Sequence, residues 1–424
     1  MQTPSTARLL AYGLPALPLA MAALPIYVHA PKLYGEEKGL GLALVGGLLL
    51  ALRLFDALID PLLGWWSDRI GQRHWLVAAG LLPLSLGFYG LFDPPVGEVG
   101  VLWLGGTLLL VYFGFSLATI NLNAWGAELS ADVHQRTRIV AGREAFALVG
   151  VVLAATLPGV LGDDFAQGIA RLAWLFAPLA LVTVLVMLRY APPPIISIRS
   201  AEAPFAALRA ALRNSAFRRL LAIYTLNGVA SAIPATLVLF FVQDVLQLAA
   251  QAGLFLSLYF ISGVLALPLW LKLSRRFGKT AAWRLSMLLA IAVFAWTLGL
   301  AAGDVYAFAI ICVLSGCALG ADLLLPPALL ADVIDQDSRD AATAKSGGYF
   351  GLWALAAKLS LALAAGLALP LLAGLNYVPG RSGSAGITAL QWVYGGLPVA
   401  LKLLSFFALR RTSAAKAGYL GVLP

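Results

Sequence analysis

The chain has 424 residues, of which 61% are hydrophobic and 12% are charged, and its formal net charge is +9. Soluble domains carry about 25% charged residues, so this composition excludes an ordinary soluble globular protein. The chain has two cysteines, both in one apolar stretch, which excludes a disulfide framework. Its three histidines are scattered, so the sequence shows neither zinc-ligand spacing nor a cluster of histidines. We expect no metal site, no organic cofactor and no catalytic residues.

Apolar runs separated by short polar breaks predict twelve membrane-spanning helices, because a helix needs about 20 mostly apolar residues to cross a bilayer. Residues 1–6 contain no basic residue and the first apolar run is interrupted by prolines, so we expect a retained first span instead of a signal peptide. The predicted spans are 9–31, 39–64, 74–92, 99–126, 139–161, 170–190, 217–241, 252–273, 281–302, 305–329, 346–374 and 389–410.

The positive charge is distributed unevenly between the loops. Most of the 29 Lys and Arg residues lie at the termini and in alternate loops, whereas the remaining loops hold only Lys32, Lys38, Arg171 and Arg381. Since basic loops stay cytoplasmic, both termini are predicted to be cytoplasmic and the number of spans to be even. The basic balance therefore reflects topology and implies no nucleic-acid partner.

A proline- and arginine-containing stretch after the sixth span divides the spans six and six. The predicted organisation is an N-terminal six-helix bundle at 1–191, a cytoplasmic linker at 192–216, a C-terminal six-helix bundle at 217–411 and a cytoplasmic tail at 412–424.

The two halves also repeat a motif. Aligning Gly71 with Gly278 aligns Ser67 with Ser274, at an offset close to half the chain. Parallel six-helix repeats with a site between them are a transporter architecture.

The second span carries charged residues at helical spacing. Arg53, Asp56 and Asp60 are three and four residues apart, which places them on one helix face. A charge inside a span costs roughly 2.5–3.5 kcal/mol and usually faces a bundle interior or a wet cavity. Two such carboxylates can share a proton, pair with a cation or bind a metal ion. The alternative is structural: Arg53 would neutralise Asp56 and Lys358 would neutralise Asp60 as static ion pairs.

Several motifs resemble those of a known family. Gly64-x-x-x-Asp68-Arg69-x-Gly71-x-Arg73 resembles the loop motif of the major facilitator superfamily. Phe55-Asp56-Ala57-x-x-Asp60-Pro61-x-x-Gly64 resembles the signature of the glycoside–pentoside–hexuronide cation symporters, the group of melibiose permease-like proteins. Further matches, in order along the chain, are Trp125-x-x-Glu128, Arg136-Thr137-Arg138, Ala331-Asp332-x-x-Asp335 and Lys358.

This resemblance implies an all-α polytopic membrane protein with the major facilitator fold, twelve transmembrane helices in two six-helix bundles related by pseudo-twofold symmetry. It also implies roles for individual residues. The implied cation-binding and coupling residues are Asp56, Asp60, Arg53 and Thr119. The implied substrate-binding residues are Asn121, Trp125, Arg143 and Lys358, although Arg143 is equally explained as a cytoplasmic-side charge paired with Glu144. The implied gating residues are Asp68, Arg69, Arg73, Glu128, Arg136, Asp332 and Arg339.

The sequence departs from the family pattern at both sites. Ile59 stands where sodium-using members have Asn, and Ala118 stands at a Thr position, which favours a proton over sodium as the coupling ion. Leu17 and Pro18 replace a charged pair of the sugar site, and Asn121 replaces an aspartate. Because buried hydroxyls need acceptors, these losses favour a less polar, amphiphilic or anionic substrate over a melibiose-like one.

The resemblance thus implies a cation-coupled secondary transporter that moves a small organic solute by alternating access. A transporter of lysolipids or other amphiphiles, or an exporter, is the alternative, and an enzyme or a sensor is disfavoured. We expect a monomer in the bacterial inner (plasma) membrane. Asp322 has no role that the resemblance transfers, and it either pairs with Lys402 or faces the cavity.

Overall fold

The computed structural model of the chain is predominantly helical in the part that it describes, residues 6–95, 100–129, 133–193, 209, 211–341, 346–381 and 383–419. Eleven helices in those ranges are long and apolar enough to cross a membrane, and a bent helix pair raises the number to twelve. The all-α polytopic architecture predicted from the sequence is confirmed.

The chain divides into two compact units, Met1–Ala201 and Glu202–Pro424. Most of the predicted linker, residues 194–208 and 210, lies outside the described residues. The predicted tail at 412–424 begins as helix, because the last helix continues to Tyr419.

The first unit contains seven described helices. They are α1 (Thr6–Gly13), α2 (Ala16–Lys32), α3 (Leu42–Ile70), α4 (Arg73–Phe92), α5 (Val101–Glu128), α6 (Val133–Leu161) and α7 (Phe165–Tyr190). A π-helical turn, Leu33–Glu37, extends α2. The segment Ala7–Glu37, which contains α1 and α2, is long enough to be one span.

The second unit contains eight described helices. They are α8 (Ser215–Phe240), α9 (Ala252–Leu265), α10 (Leu267–Phe277), α11 (Lys279–Trp296), α12 (Val305–Ala341), α13 (Ser346–Gly374), α14 (Ser384–Gln391) and α15 (Leu397–Tyr419). A buried cluster in this unit combines aliphatic side chains with the aromatic residues Phe217, Trp270, Trp283, Tyr349 and Trp353.

The predicted eighth span, 252–273, is the bent pair. Residues 249–265 and 267–277 meet at an angle of 42°. Pro268 lies in the first turn of α10, where it lacks the N–H that would continue the helix and its ring clashes with the preceding turn. The proline therefore accounts for the break.

The repeated motif ends its helix in the same way in each unit. Gly71 follows α3 with φ +69° and donates its N–H to Ser67 O at 3.0 Å. Gly278 follows α10 with φ +84° and donates its N–H to Ser274 O, also at 3.0 Å. A positive φ is nearly free only for glycine, so the aligned glycines terminate both helices.

Small residues allow the helices of the first unit to pack backbone against backbone. A Cβ on Gly114 of α5 would collide with backbone atoms of Gly80 and Leu84 on α4. Close approach at small residues is the usual contact between membrane helices, because lipid supplies no hydrophobic drive for them to associate. This contact fixes α5 against α4 and so positions the polar face of α5 that is described next.

Candidate functional site

The charged residues of α3 form a buried pair. Arg53 Nη1 lies 3.1 Å from Asp56 Oδ2, one helical turn away, and both side chains are buried. Ser116 on α5 donates a hydrogen bond of 2.7 Å to the other carboxylate oxygen, Asp56 Oδ1. Asp56 is therefore held by a cation from its own helix and by a hydroxyl from the neighbouring helix.

Aromatic rings surround the Arg53 guanidinium. Its Cζ lies 4.7 Å from the ring centre of Tyr112, 5.7 Å from that of Tyr27 and 6.0 Å from that of Phe115. These are cation–π distances, which stabilise a desolvated guanidinium. Within the described part of the chain, Arg53 Nε and the Tyr27 and Tyr112 hydroxyls have no well-formed hydrogen bond. Burial thus leaves Arg53 Nε beside the ion pair without a hydrogen-bond partner among the described residues.

Asp60 and Thr119 are the two residues that the sequence predicts to join Asp56 in the cation site. Asp60 is half-buried one turn further along α3, and Thr119 is half-buried on α5. Thr119 Oγ1 has no hydrogen-bond partner among the described residues. The hydroxyl that does reach Asp56 belongs to Ser116, one turn earlier on the same helix.

A cavity of about 440 Å³ adjoins Asp56 between α3 and α5. Asp56 and Tyr112 are the polar residues of a lining that is otherwise apolar. The lining residues are Phe55, Asp56, Ile59, Leu63, Gly106, Leu109, Leu110, Tyr112 and Phe113.

Asn121, a predicted substrate-binding residue, and Arg73, a predicted gating residue, lie in one hydrogen-bonded cluster. The buried Asn121 side chain accepts a hydrogen bond from Ser67 Oγ and donates one of 2.8 Å to Leu117 O. Arg73 Nη1 donates to Ser67 Oγ at 2.7 Å and to Asn121 Oδ1 at 3.4 Å. This cluster joins the end of α3, the start of α4 and the C-terminal part of α5.

Trp125 is buried on α5, one turn after Asn121. Tyr12 lies edge-on to it with ring centres 5.3 Å apart, and the His74 ring lies at 6.0 Å. The Trp125 Nε1 donor has no hydrogen-bond partner among the described residues.

Arg143 is the more accessible of the predicted substrate residues in the first unit, with 18% of its side chain exposed. It donates to Asn123 Oδ1 and forms an ion pair with its neighbour Glu144. The pair with Glu144 is the contact expected of a cytoplasmic-side charge, whereas the contact with Asn123 ties Arg143 to α5.

The predicted gating residues are described only in part. The side chains of Asp68, Glu128, Arg136 and Arg339 lie outside the described residues, and Arg69 is exposed. Asp332, in the C-terminal part of α12, pairs with Lys279 at the start of α11, with Nζ 2.6 Å from Oδ1. Lys279 Nζ also donates to Ala328 O at 3.2 Å.

In the second unit, Lys358 is half-buried within α13. Of the two alternatives for Asp322, the structure shows the ion pair: Lys402 Nζ lies 3.5 Å from Asp322 Oδ2.

Sequence reasoning missed Ser116, Tyr27 and Tyr112. A signal for two of them was present, because Tyr112, Ser116 and Thr119 recur at helical spacing and share one face of α5. Tyr27 lies on another helix, and no local pattern connects it with Arg53.

Comparison with known proteins places this arrangement in a family. Residues 9–415 match the family described as "MFS/sugar transport protein". The "uncharacterized symporter YjmB" of Bacillus subtilis is 23% identical over 400 residues, which cover 89% of this chain and 86% of that protein. The "uncharacterized symporter sll1374" of Synechocystis is 27% identical over 160 residues, covering 35% of this chain and 29% of that protein.

Solved structures share the fold. A point mutant of the nucleoside transporter NupG superposes with a TM-score of 0.73 at 14% identity, covering 95% of this chain and 100% of that chain. A bacterial homologue of the human lysosomal transporter Spinster, inward-facing and unoccupied, also gives a TM-score of 0.73, at 15% identity, with 96% and 98% covered. The family match over nearly the whole chain, together with this fold, shows that the chain belongs to the MFS/sugar transport family and is a multi-pass membrane transporter of the major facilitator type, not an enzyme.

Proposed function

We propose that this transporter is a cation-coupled symporter in which Asp56 and Asp60 couple ion binding to solute movement by alternating access. The observation that carries the proposal is the buried Arg53–Asp56 pair with its hydroxyl donor Ser116 inside membrane-spanning helices. Apolar packing would hold α3 against α5 at lower electrostatic cost, so a buried pair of this kind indicates function more than stability. The symporter names of the two relatives support the same class.

The charge balance on this face of α3 suggests how coupling works. Arg53 offsets one of the two negative charges that Asp56 and Asp60 contribute. One bound proton or monovalent cation would neutralise the other. A neutral face crosses the low-dielectric interior more cheaply than a charged one, so loading would permit the conformational swing.

A proton suits the surroundings of Asp56 better than sodium. Sodium prefers a shell of several oxygens, whereas a proton needs one carboxylate. Ile59 offers no oxygen at the position beside Asp60, and Ser116 already donates its proton to Asp56.

The substrate is a small organic molecule, and the names of the family and of one structural neighbour point to sugars or nucleosides. We assign its polar groups to Arg143, Lys358, Asn121 and Trp125. Arg143 is accessible, whereas Asn121 and Trp125 are buried and reach substrate only after α5 moves relative to its neighbours. The melibiose permease-like group remains our assignment within the superfamily.

A second candidate is an amphiphile such as a lysolipid, favoured by the cavity beside Asp56. Its walls are apolar except for Asp56 and Tyr112, which fits an acyl chain with a polar head group that donates hydrogen bonds. Gly106→Trp would fill this cavity, because a side chain at Gly106 meets nothing within 4 Å. Loss of lysolipid transport in Gly106→Trp with unchanged sugar or nucleoside uptake would favour this candidate.

We also propose a bacterial inner-membrane location with both termini cytoplasmic, supported by the basic loops, and a monomeric transporter. For the gate, we propose that the Lys279–Asp332 pair and the Ser67–Arg73–Asn121 cluster hold the cytoplasmic ends of their helices and part during transport.

The test is uptake into proteoliposomes under an imposed proton or sodium gradient, with sugars, nucleosides and lysolipids offered in turn. Asp56→Asn, Asp60→Asn and Lys358→Ala are compared with wild type. The matched control is Asp164→Asn, which removes an exposed charge at the N-cap of α7 while Asn still caps the helix.

Coupling at α3 is supported if Asp56→Asn and Asp60→Asn lose gradient-driven accumulation but keep exchange, and Asp164→Asn behaves as wild type. Accumulation at the wild-type level in both α3 variants would mean that this face is structural.

A further inference from the structure

A second ion pair, between the buried Lys402 and the half-buried Asp322, lies within the membrane-spanning helices of the C-terminal unit. Lys402 on α15 donates hydrogen bonds of 2.9 Å to Asn227 Oδ1 and 2.9 Å to Ser231 Oγ, both on α8. Its Nζ lies 3.5 Å from Asp322 Oδ2 on α12. All three ammonium donors therefore face oxygen, and the lysine joins three helices.

The described hydrogen-bond neighbours of Asp322 donate to it. Trp283 Nε1 on α11 donates to Asp322 Oδ1 at 2.8 Å, and Ser231 Oγ donates to Oδ2 at 3.3 Å. Donors to both oxygens fit a carboxylate that holds a negative charge in this state. A charge inside a membrane span is costly, and a donor-lined one marks a site more than a packing element.

Lys402 and Asp322 differ in how much of their side chains is exposed. The Lys402 side chain is 3% exposed, whereas Asp322 keeps 16% of its side-chain surface accessible. Part of the Asp322 side chain is therefore accessible in this state, whereas Lys402 is enclosed by protein. Other titratable groups that face Asp322 are the hydroxyls of Tyr224 on α8 and Tyr259 on α9, and both are neutral phenols near neutral pH.

We infer that Asp322 is a second proton-binding site of this transporter, held by Lys402 when empty. Hydronium transfers a proton to Oδ2 and leaves as water; the Ser231 hydroxyl hydrogen rotates away from Oδ2, and the new carboxyl O–H donates to Ser231 Oγ. Lys402 keeps its charge and its bonds to Asn227 and Ser231 but loses its anionic partner. Proton binding here weakens the tie between α12 and α15.

The residues of this site lie in the second unit, whereas Asp56 and α3 lie in the first, so each site is tested by variants of its own. Either site can fail its test while the other stands.

The Trp283 indole reports directly on the state of Asp322, because its N–H donates to the carboxylate. The measurement is the indole ¹⁵N–¹H resonance of tryptophan-labelled protein in detergent, followed over the pH range in which the protein stays folded. Trp283→Phe identifies the resonance. Trp270 is the matched control, since its indole donates at 2.7 Å to Cys317 O, a backbone carbonyl that does not titrate.

We expect the chemical shift of the Trp283 resonance to change with pH in wild type and in Asp56→Asn, and to be independent of pH in Asp322→Asn. The chemical shift of the Trp270 resonance should stay constant in all three proteins. If Asp322→Asn does not fold with an unpaired buried lysine, the double variant Asp322→Asn/Lys402→Met supplies the reference without a buried charge. A Trp283 resonance that stays constant in wild type, or that titrates equally in the variants lacking Asp322, would make the pair a static tether and overturn the inference.

Discussion

Ser116 on α5 donates a 2.7 Å hydrogen bond to Asp56 on α3, across 60 residues of chain. The contact links the charge of Asp56 to the relative position of two spans, because a carboxylate accepts this bond strongly and a neutral carboxyl weakly. The packing of α3 on α5 is thereby sensitive to whether Asp56 carries a proton or a cation.

Removing this hydroxyl tests the link. In Ser116→Ala, the carboxylate keeps Arg53 but loses its hydroxyl donor, and a hydrogen bond to a charged group contributes about 1.5–3 kcal/mol. We expect a lower melting temperature in detergent and a loss of gradient-driven uptake of about tenfold, since about 1.4 kcal/mol corresponds to a factor of ten. Ser116→Thr keeps a hydroxyl and should recover part of the loss.

The control for Ser116→Ala is Ser405→Ala. Ser405 is equally buried, but its hydroxyl donates to Leu401 O of its own helix. Equal loss of uptake in the two alanine variants would show that the Asp56 hydrogen bond has no special part in coupling.

The Arg53–Asp56 pair should show strong energetic coupling. Arg53→Met leaves a buried carboxylate without its cation, and breaking a buried pair in this way costs roughly 3–5 kcal/mol of unfolding free energy. The double variant Arg53→Met/Asp56→Asn carries neither charge, so we expect it to regain most of the stability. Unfolding of all four proteins in detergent closes the double-mutant cycle, and additive effects would contradict a direct interaction.

Unlike the Arg53–Asp56 pair, the Lys279–Asp332 pair should contribute little to the free energy of unfolding. Its side chains are 38% and 52% exposed, so solvent screens the attraction and the pair contributes at most about 1 kcal/mol. We expect Lys279→Gln and Asp332→Asn to unfold close to the wild-type temperature. If the pair is a gate, these variants still change the rate of transport, and the charge-swapped Lys279→Asp/Asp332→Lys protein restores it. Wild-type transport rates in both single variants would exclude the gating role.

Close packing of α5 on α4 makes Gly114 intolerant of a side chain. In Gly114→Ala the added methyl group meets the α4 backbone at Gly80 and Leu84, which cannot give way as a flexible side chain does. Overpacking of this kind costs typically about 1–3 kcal/mol. Gly106→Ala is the control on the same helix, because its added Cβ meets nothing within 4 Å. Thermal unfolding should separate the two variants, and equal melting temperatures would contradict the packing described.

Local patterns in the sequence were sufficient to predict much of the fold of this protein. Hydropathy over about 20 residues identified the membrane spans, since each helix satisfies its own backbone hydrogen bonds and only its length and polarity decide whether it crosses. Helical spacing placed Arg53, Asp56 and Asp60 on one face, and the i,i+3 ion pair is the direct result. The alignment of Gly71 with Gly278 predicted a repeat, and in the structure both glycines follow a helix with a positive φ.

Only the tertiary structure shows which residues of distant segments are in contact. Ser116 reaches Asp56, Tyr27 reaches Arg53 and Lys279 reaches Asp332 from other helices, and no periodicity within one helix encodes which residue of a neighbour faces it.

The hydrogen bond from Lys402 to Asn227 joins residues that are 175 positions apart. For Asp322, the other partner of Lys402, the sequence left two alternatives, the ion pair and a position facing the cavity. Which segments enter the membrane, and which of those carry charge, could be read from the residues alone, because both are properties of single helices. Which hydroxyl, amide or cation meets each buried carboxylate depends instead on how the helices pack, since the crossing positions are set by many side chains at once.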